Sequence, residues 1–250
     1  MELKKISAFL DKELALKKLN RLDDSKNGLQ VKGKPEVLKV GLCVDARMDC
    51  FLKAKALGCN LIICHHGLYW KEKRKMLDTL LVERVAYLKK NKISLYAAHL
   101  PIDCHPVYGN NAVICRELGI ANKKRFGKYH GAVWGFNGNL STSITQLAAK
   151  CRKLFGRKCL VLAFGKKSIR KVAVVSGSAS FSVAEAAGKA DCLITGETSH
   201  SGYCWAKDLG VNVIFGGHYK TETLGVKAVG KLLEKKFGIK CVFIDCPTGL

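Results

Sequence analysis

Short apolar, β-rich runs alternate along this chain with helix-like stretches. That alternation constrains the fold more than any other feature, because it is the pattern of a mainly parallel α/β sheet. Strands are expected at 37–44, 60–64, 93–98, 159–163, 171–175, 191–195, 211–215 and 241–244. An opening helix over 4–19 carries Ile6, Phe9, Leu10 and Leu14 at spacings of three and four, the period of one buried helical face. Residues 25–36, punctuated by Asn27-Gly28 and Pro35, read as a turn. Further helices are expected near 80–88 and over 110–118, 143–155, 183–188, 203–209 and 221–236. The Gly- and aromatic-rich segment GKYHGAVWGFNGNLS (127–141) reads as short antiparallel strands. The expectation is an α/β fold of two lobes with mainly parallel sheets, 1–120 and 121–250, the helix 110–118 closing the first.

The 250 residues suffice for a buried core without disulfide support, and 48% hydrophobic with 25% charged residues excludes general disorder. No apolar run approaches the length of a membrane span. The first eighteen residues mix acids and lysines where a secretory segment is apolar, so a cytoplasmic protein is expected. The twelve cysteines include no C-x-x-C pair and most lie in apolar runs, where a thiol behaves as a small hydrophobe in a reducing compartment. Cys64 and Cys104 stand out only because they adjoin candidate site residues.

The formal charge of +23 is unevenly spread: 118–184 holds thirteen Lys and Arg and no Asp or Glu. Such a segment tolerates or attracts anions: it is either a solvated lysine face or a surface for nucleic acid or a phosphorylated substrate. Tyr129, Trp134 and Phe136 beside it are candidates to stack on bases, with core packing as the ordinary alternative.

Three expected strands end in chemistry-bearing residues. One ends in His65-His66-Gly67, one in His99 with Asp103 four residues on, and one in Gly216-Gly217-His218 with Glu222 four residues on. In parallel α/β sheets, ligands bind beyond the carboxyl ends of the strands, which places these groups at one edge, in the cleft between the lobes. A helix starting near His218 would set His218 and Glu222 one turn apart on one face. Adjacent His65 and His66 at a strand end should point to opposite sides. Three histidines and two carboxylates exceed one tetrahedral zinc and suit two metals bridged by a carboxylate. His99 is a candidate to orient Asp103 or a bound water, and Glu197 and His200 are candidate acid/base groups. The Ser176-Gly177-Ser178 turn reads as a small anion cradle.

The motifs NGLQV (27–31), ICHHG (63–67), AHLPID (98–103), SGS (176–178), ITGE (194–197) and GGHYKTE (216–222) resemble those of the NIF-three-like family, also named GTP cyclohydrolase I type 2 homologues. They run through essentially the whole chain. The resemblance implies two divalent metals on His65, His66, Asp103, His218 and Glu222, and a toroidal hexamer built as a trimer of dimers with its metal sites facing inward. Pro101 departs from the usual loop but keeps the ligand spacing, and the chain has no room for the inserted middle domain of longer relatives. His and carboxylate ligands without thiolate suit Zn, Fe, Mn or Ni. The functional expectation is a metal-dependent hydrolase of a nucleotide-like or phosphorylated substrate. The alternative is a basic toroidal DNA-binding protein with a structural or vestigial metal site.

Overall fold

A computed structural model describes residues 1–71, 78–129, 131–156 and 158–250. His130 and Arg157, both in the basic or aromatic segments noted above, lie outside the described residues. The chain divides into two compact units, 1–102 with 226–246 and 103–225 with 247–250. Both are α/β. The division differs from the expected boundary near 120 because the chain returns: its C-terminal strand pairs with a strand near the N-terminus, a contact sequence order does not reveal.

The first unit contains α1 (Leu3–Glu13), α2 (Leu16–Leu19), β1 (Gly28–Val31), β2 (Lys39–Asp45), α3 (Met48–Ala56), β3 (Leu61–His66), α4 (Asp78–Lys90) and β4 (Ser94–Ala97). Most of α5 (Leu100–Cys104) follows. The unit is completed by the later turns of α10 (His218–Phe237) and by β11 (Lys240–Phe243). The expected opening helix is interrupted at Ala15, whose φ of 52° is left-handed and ends α1. The segment read as a turn contains β1, which Asn27-Gly28 start rather than bypass. β1 pairs antiparallel with β4, and the other pairings are parallel, in the order β1-β4-β3-β2-β11.

This sheet is buried on both faces, which is why its central strands read as continuous apolar runs. Val40, Leu42, Leu61 and Ile63 pack with α1 and the later turns of α10 through Leu3, Ile6, Leu10, Val226, Val229 and Leu233. The alternate residues Cys43, Ile62, Cys64 and Leu95 pack with α3 and α4 through Phe51, Ala54 and Leu88. Each large aliphatic side chain buried this way contributes about 1.5–3 kcal/mol.

The second unit contains α6 (Asn110–Leu118), β5 (Ala121–Tyr129), β6 (Ala132–Ser143), α7 (Ile144–Phe155), β7 (Leu160–Ala163), β8 (Ser168–Val174), α8 (Ser182–Ala186), β9 (Cys192–Thr195), α9 (His200–Asp208), β10 (Asn212–Phe215) and the first turns of α10. Its sheet runs β5-β6-β8-β9-β10-β7. Only β8-β9 and β9-β10 are parallel; β5-β6, β6-β8 and β10-β7 are antiparallel. "Mainly parallel" therefore holds for the first sheet and fails for the second, which is mixed. The short strands expected over 127–141 are parts of one long hairpin, because strands that cross a wide sheet keep pairing past the glycines. Core clusters fill both faces, one with α6 and α7 and one with α8 and α9. No helix among the described residues is long and apolar enough to cross a membrane.

Candidate metal centre

In the first unit the histidines sit where β3 and β4 end. β3 runs through His65 and His66, two residues further than expected. Its ladder with β4 stops at Cys64 opposite Ala97, so beyond that point β4 contributes no paired residue beside the two rings. The rings of His65 and His66 do not diverge as alternation alone suggests. Their centroids are 4.7 Å apart, and His99 lies 5.0 Å from His65 and 5.6 Å from His66. One ring nitrogen from each of the three falls within 4.8 Å of the others.

Each ring is fixed through Nδ1. His65 Nδ1 lies 3.2 Å from the Ala98 carbonyl oxygen, His66 Nδ1 2.8 Å from Asp45 Oδ1, and His99 Nδ1 2.8 Å from Asp23 Oδ1. An acceptor at Nδ1 favours the tautomer that puts the proton there and the lone pair on Nε2, the arrangement that orients metal-ligating histidines. Asp23 is itself held: Ser25 N–H, Leu100 N–H and Asn27 Nδ2 donate to its carboxylate. Burial alone would raise the Asp23 pKa, but the His99 imidazole, Asn27 and Ser25 outweigh it and keep the carboxyl below its usual range. Asn27 also accepts from the His99 N–H at 2.7 Å. Gln30 accepts from Leu68 N–H, and a side chain at Gly67 would strike its amide. The NGLQV segment thus supports the HHG segment from a distance of about 35 residues in sequence. His99, expected as an orienting residue, is itself oriented and joins the cluster as a candidate ligand.

In the second unit Asp103 and Glu222 are almost fully buried, and a carboxylate oxygen of each lies within 4.8 Å of the other. Two buried carboxylates so close call for positive charge. Asp103 Oδ1 accepts from Asn110 Nδ2 at 2.9 Å and from Ser176 Oγ at 2.8 Å. Asn111 accepts from Ser176 N–H and donates to the Asp103 carbonyl. The Ser176-Gly177-Ser178 turn is therefore carboxylate support and not an anion cradle, and α8 starts four residues after it. Gly177, at φ 68°, lets Glu222 approach; a Cβ there would collide with the carboxylate.

His218 begins α10, three residues before the expected start, and Glu222 follows one turn later, with Nε2 to Oε2 at 3.0 Å. Glu197 accepts at Nδ1 from the other side at 2.6 Å, so this ring too is held through Nδ1. His200 lies at the exposed start of α9, five residues past the end of β9, and takes part in none of the ligand clusters among the described residues. Burial drives the Cys64 thiol far above its ordinary pKa and the side chain hydrogen-bonds the Tyr96 carbonyl, so it is a neutral packing group. The buried Cys104 thiol hydrogen-bonds the Val133 carbonyl. Asp45, Asp23, Asn110 and Asn111 are site residues that the strand-end motifs do not mark; the Asn pair heading α6 and the Asp closing β2 are the signals the sequence carries for them.

Donors of this kind fit divalent metal: imidazoles with fixed tautomers and paired buried carboxylates, without thiolate. Without metal, burial pulls the His218 pKa down, but Glu222 and then Glu197 outweigh it and raise it to about 9. A raised imidazole pKa contributes stability fully present below the unfolded value near 6.5 and lost as pH rises through about 9. Proton NMR of the chelator-treated protein should place the His218 midpoint near 9 and find it at least one unit lower in Glu222→Gln. The denaturation midpoint should fall with pH between 6.5 and 9 in the parent and less in the variant. An unmoved NMR midpoint would refute the pairing.

The Duf34/NIF3 (NGG1p interacting factor 3) family pattern matches residues 1–248. The chain is 44% identical to a Pyrococcus horikoshii protein named GTP cyclohydrolase 1 type 2 homolog and 40% identical to the one from Archaeoglobus fulgidus, over all of each chain. Among solved structures, TTHA1606 from Thermus thermophilus superposes with a TM-score of 0.92 at 37% identity over all of both chains. Reduced HcgD from Methanocaldococcus jannaschii gives 0.85 at 25% identity over 98% of each. With whole-length agreement in sequence and in fold, the chain belongs to the Duf34/NIF3 family.

Proposed function

We propose that this protein is a divalent-metal-dependent hydrolase of a nucleotide-like or otherwise phosphorylated small molecule, holding two ions on His65, His66, Asp103, His218 and Glu222. The observation that carries the reading is the Nδ1 anchoring of His65, His66 and His218, each by its own carboxylate or carbonyl acceptor. Zn, Fe, Mn and Ni all suit these donors. When bound, a pair of such ions lowers the pKa of water and polarises the group under attack. The chain's own residues do the rest. Asp45 and Asp23 hold His66 and His99 in register, and Asn110 and Ser176 fix the Asp103 carboxylate. Glu197, with its side chain 37% exposed, holds the His218 proton and is the candidate to pass a proton to solvent. Lysines of the basic 118–184 segment, Lys124 and Lys128 among them, are exposed and suited to phosphate. The relatives' name makes GTP the first substrate to try.

Elemental analysis of tag-free protein purified without chelator should find at least two equivalents of metal per chain. Glu222→Ala and His66→Ala should each lose at least one equivalent, with hydrolysis of a nucleotide and phosphoester panel falling by 100-fold or more. Unchanged metal and unchanged hydrolysis in Glu222→Ala would remove the assignment. Light scattering on the same preparation should give six chains per particle, the assembly implied by the family resemblance; a monomer would exclude the ring.

A second reading, DNA binding, is favoured by one observation: β5 is an edge strand whose residues 121–125 are all exposed, Lys123 and Lys124 among them. Arg125 serves the fold as well, since its guanidinium donates to the Cys104 carbonyl at 2.6 Å and stacks on Phe136. Phe136 is buried in the core and unavailable to bases, whereas Tyr129 and Trp134 cluster with Phe181. DNA retardation across a salt series discriminates. Binding that survives 150 mM salt and weakens at least tenfold in Lys123→Ala/Lys124→Ala would support this reading; loss of all retardation at that salt would leave the hydrolase alone.

A further inference from the structure

Away from the histidines, α3 and the residues after β11 bring a second set of donors together. Asp49 and Cys50 stand in the first turn of α3, and Cys246 reaches them from 196 residues further along the chain. One ligand atom from each lies within 4.8 Å of the other two. They are already bonded to one another: Cys246 hydrogen-bonds both Cys50 and Asp49, and Cys43 hydrogen-bonds Cys50. Cys50 and Cys246 are buried, while the Asp49 side chain is 44% exposed and leaves the cluster open to solvent on that side. The arrangement is held deliberately. Arg47 grips Asp49 through two nitrogens and donates to the Cys246 carbonyl, and Lys53 donates to the Asp245 carbonyl.

We propose that Asp49, Cys50 and Cys246, with solvent completing the coordination, form a thiolate-rich site for a thiophilic d10 cation such as zinc, separate from the histidine and carboxylate centre. Two thiolates and a carboxylate select a borderline or soft ion over Mg or Mn. A tetrahedral ion about 2.3 Å from sulfur and 2.0–2.2 Å from oxygen holds its ligand atoms roughly 3.7 Å apart, which is compatible with three ligand atoms that all lie within 4.8 Å of one another. Binding releases the two thiol protons to solvent. The resulting S2O set around a dication carries a net charge of −1, which the Arg47 guanidinium balances, and the amino end of α3 favours thiolate at Cys50. The donor most exposed to solvent is the carboxylate, which gives the ion a route in.

Cobalt(II) titration of reduced, tag-free, metal-stripped protein separates this site from the other, because only thiolate ligands give an intense sulfur-to-cobalt charge-transfer band in the near ultraviolet. The band should saturate at one cobalt bound through thiolate per chain, and zinc should displace it. Cys50→Ser and Cys246→Ser should each abolish it, Asp49→Asn should weaken cobalt binding at this site at least tenfold, and both His66→Ala and Cys204→Ser should leave it unchanged. Cys246 follows the last strand and Asp49 is half-exposed, so these two variants remain informative if Cys50→Ser fails to fold. Absence of the band, or its survival in Cys246→Ser, would overturn the site. If the reduced protein takes up no cobalt and mild oxidation with a diazene joins Cys50 to Cys246, the pair is a thiol–disulfide couple and the metal assignment falls. Loss of the hydrolase reading leaves this test untouched, since its band does not depend on His66.

Discussion

The chemistry of this chain depends first on one repeated interaction, an acceptor placed at Nδ1 of an imidazole. It occurs at His65, His66, His99 and His218, each time with a different partner: a carbonyl, Asp45, Asp23 and Glu197. An unanchored ring exchanges tautomers and rotates about two side-chain bonds, so its lone pair has no fixed direction. The acceptor removes that freedom before any ligand arrives, and the ordering entropy is lost during folding rather than on binding. Asp23 shows how far the support extends, since three donors besides His99 converge on it and hold it ionised against its burial.

The carboxylates follow the same logic by a different route. Asp103 is held by donors from Asn110 and Ser176, while Glu222 is admitted by the missing side chain of Gly177 and paired with His218 one helical turn away. Close-packed interiors leave no slack for a carboxylate to find its place afterwards. A single methyl group at residue 177 would displace it, which makes that glycine as much a part of the site as the residues it serves.

Much of this was legible in the sequence. The apolar runs of β2, β3, β9 and β10 stand within a residue or two of their expected positions, because a strand buried on both faces needs an unbroken apolar stretch. The i, i+4 spacing of His218 and Glu222 put them on one helical face, as the helix period requires. The errors have physical causes as well. β1 was hidden inside a Gly- and Lys-rich segment that is a strand only because β4 offers it a ladder. The opening helix breaks at Ala15, where no proline or glycine announces it. The second sheet is mixed because the long β5-β6 hairpin joins one edge and β7 joins the other, both antiparallel, and nothing in local periodicity distinguishes a parallel neighbour from an antiparallel one.

By itself, then, the sequence determined the α/β class and the family and pointed to histidines and carboxylates that fall in candidate metal clusters, since period and chemical type are local properties. Only the tertiary structure decided which acceptor holds which ring, where the two units divide, and that Cys246 meets Cys50. His99 and Asp23 are 76 residues apart, and Cys246 is 196 residues from Cys50. Contacts of that span are made by the packing of whole elements, and burial rewards any apolar neighbour alike, so no local pattern specifies the partner.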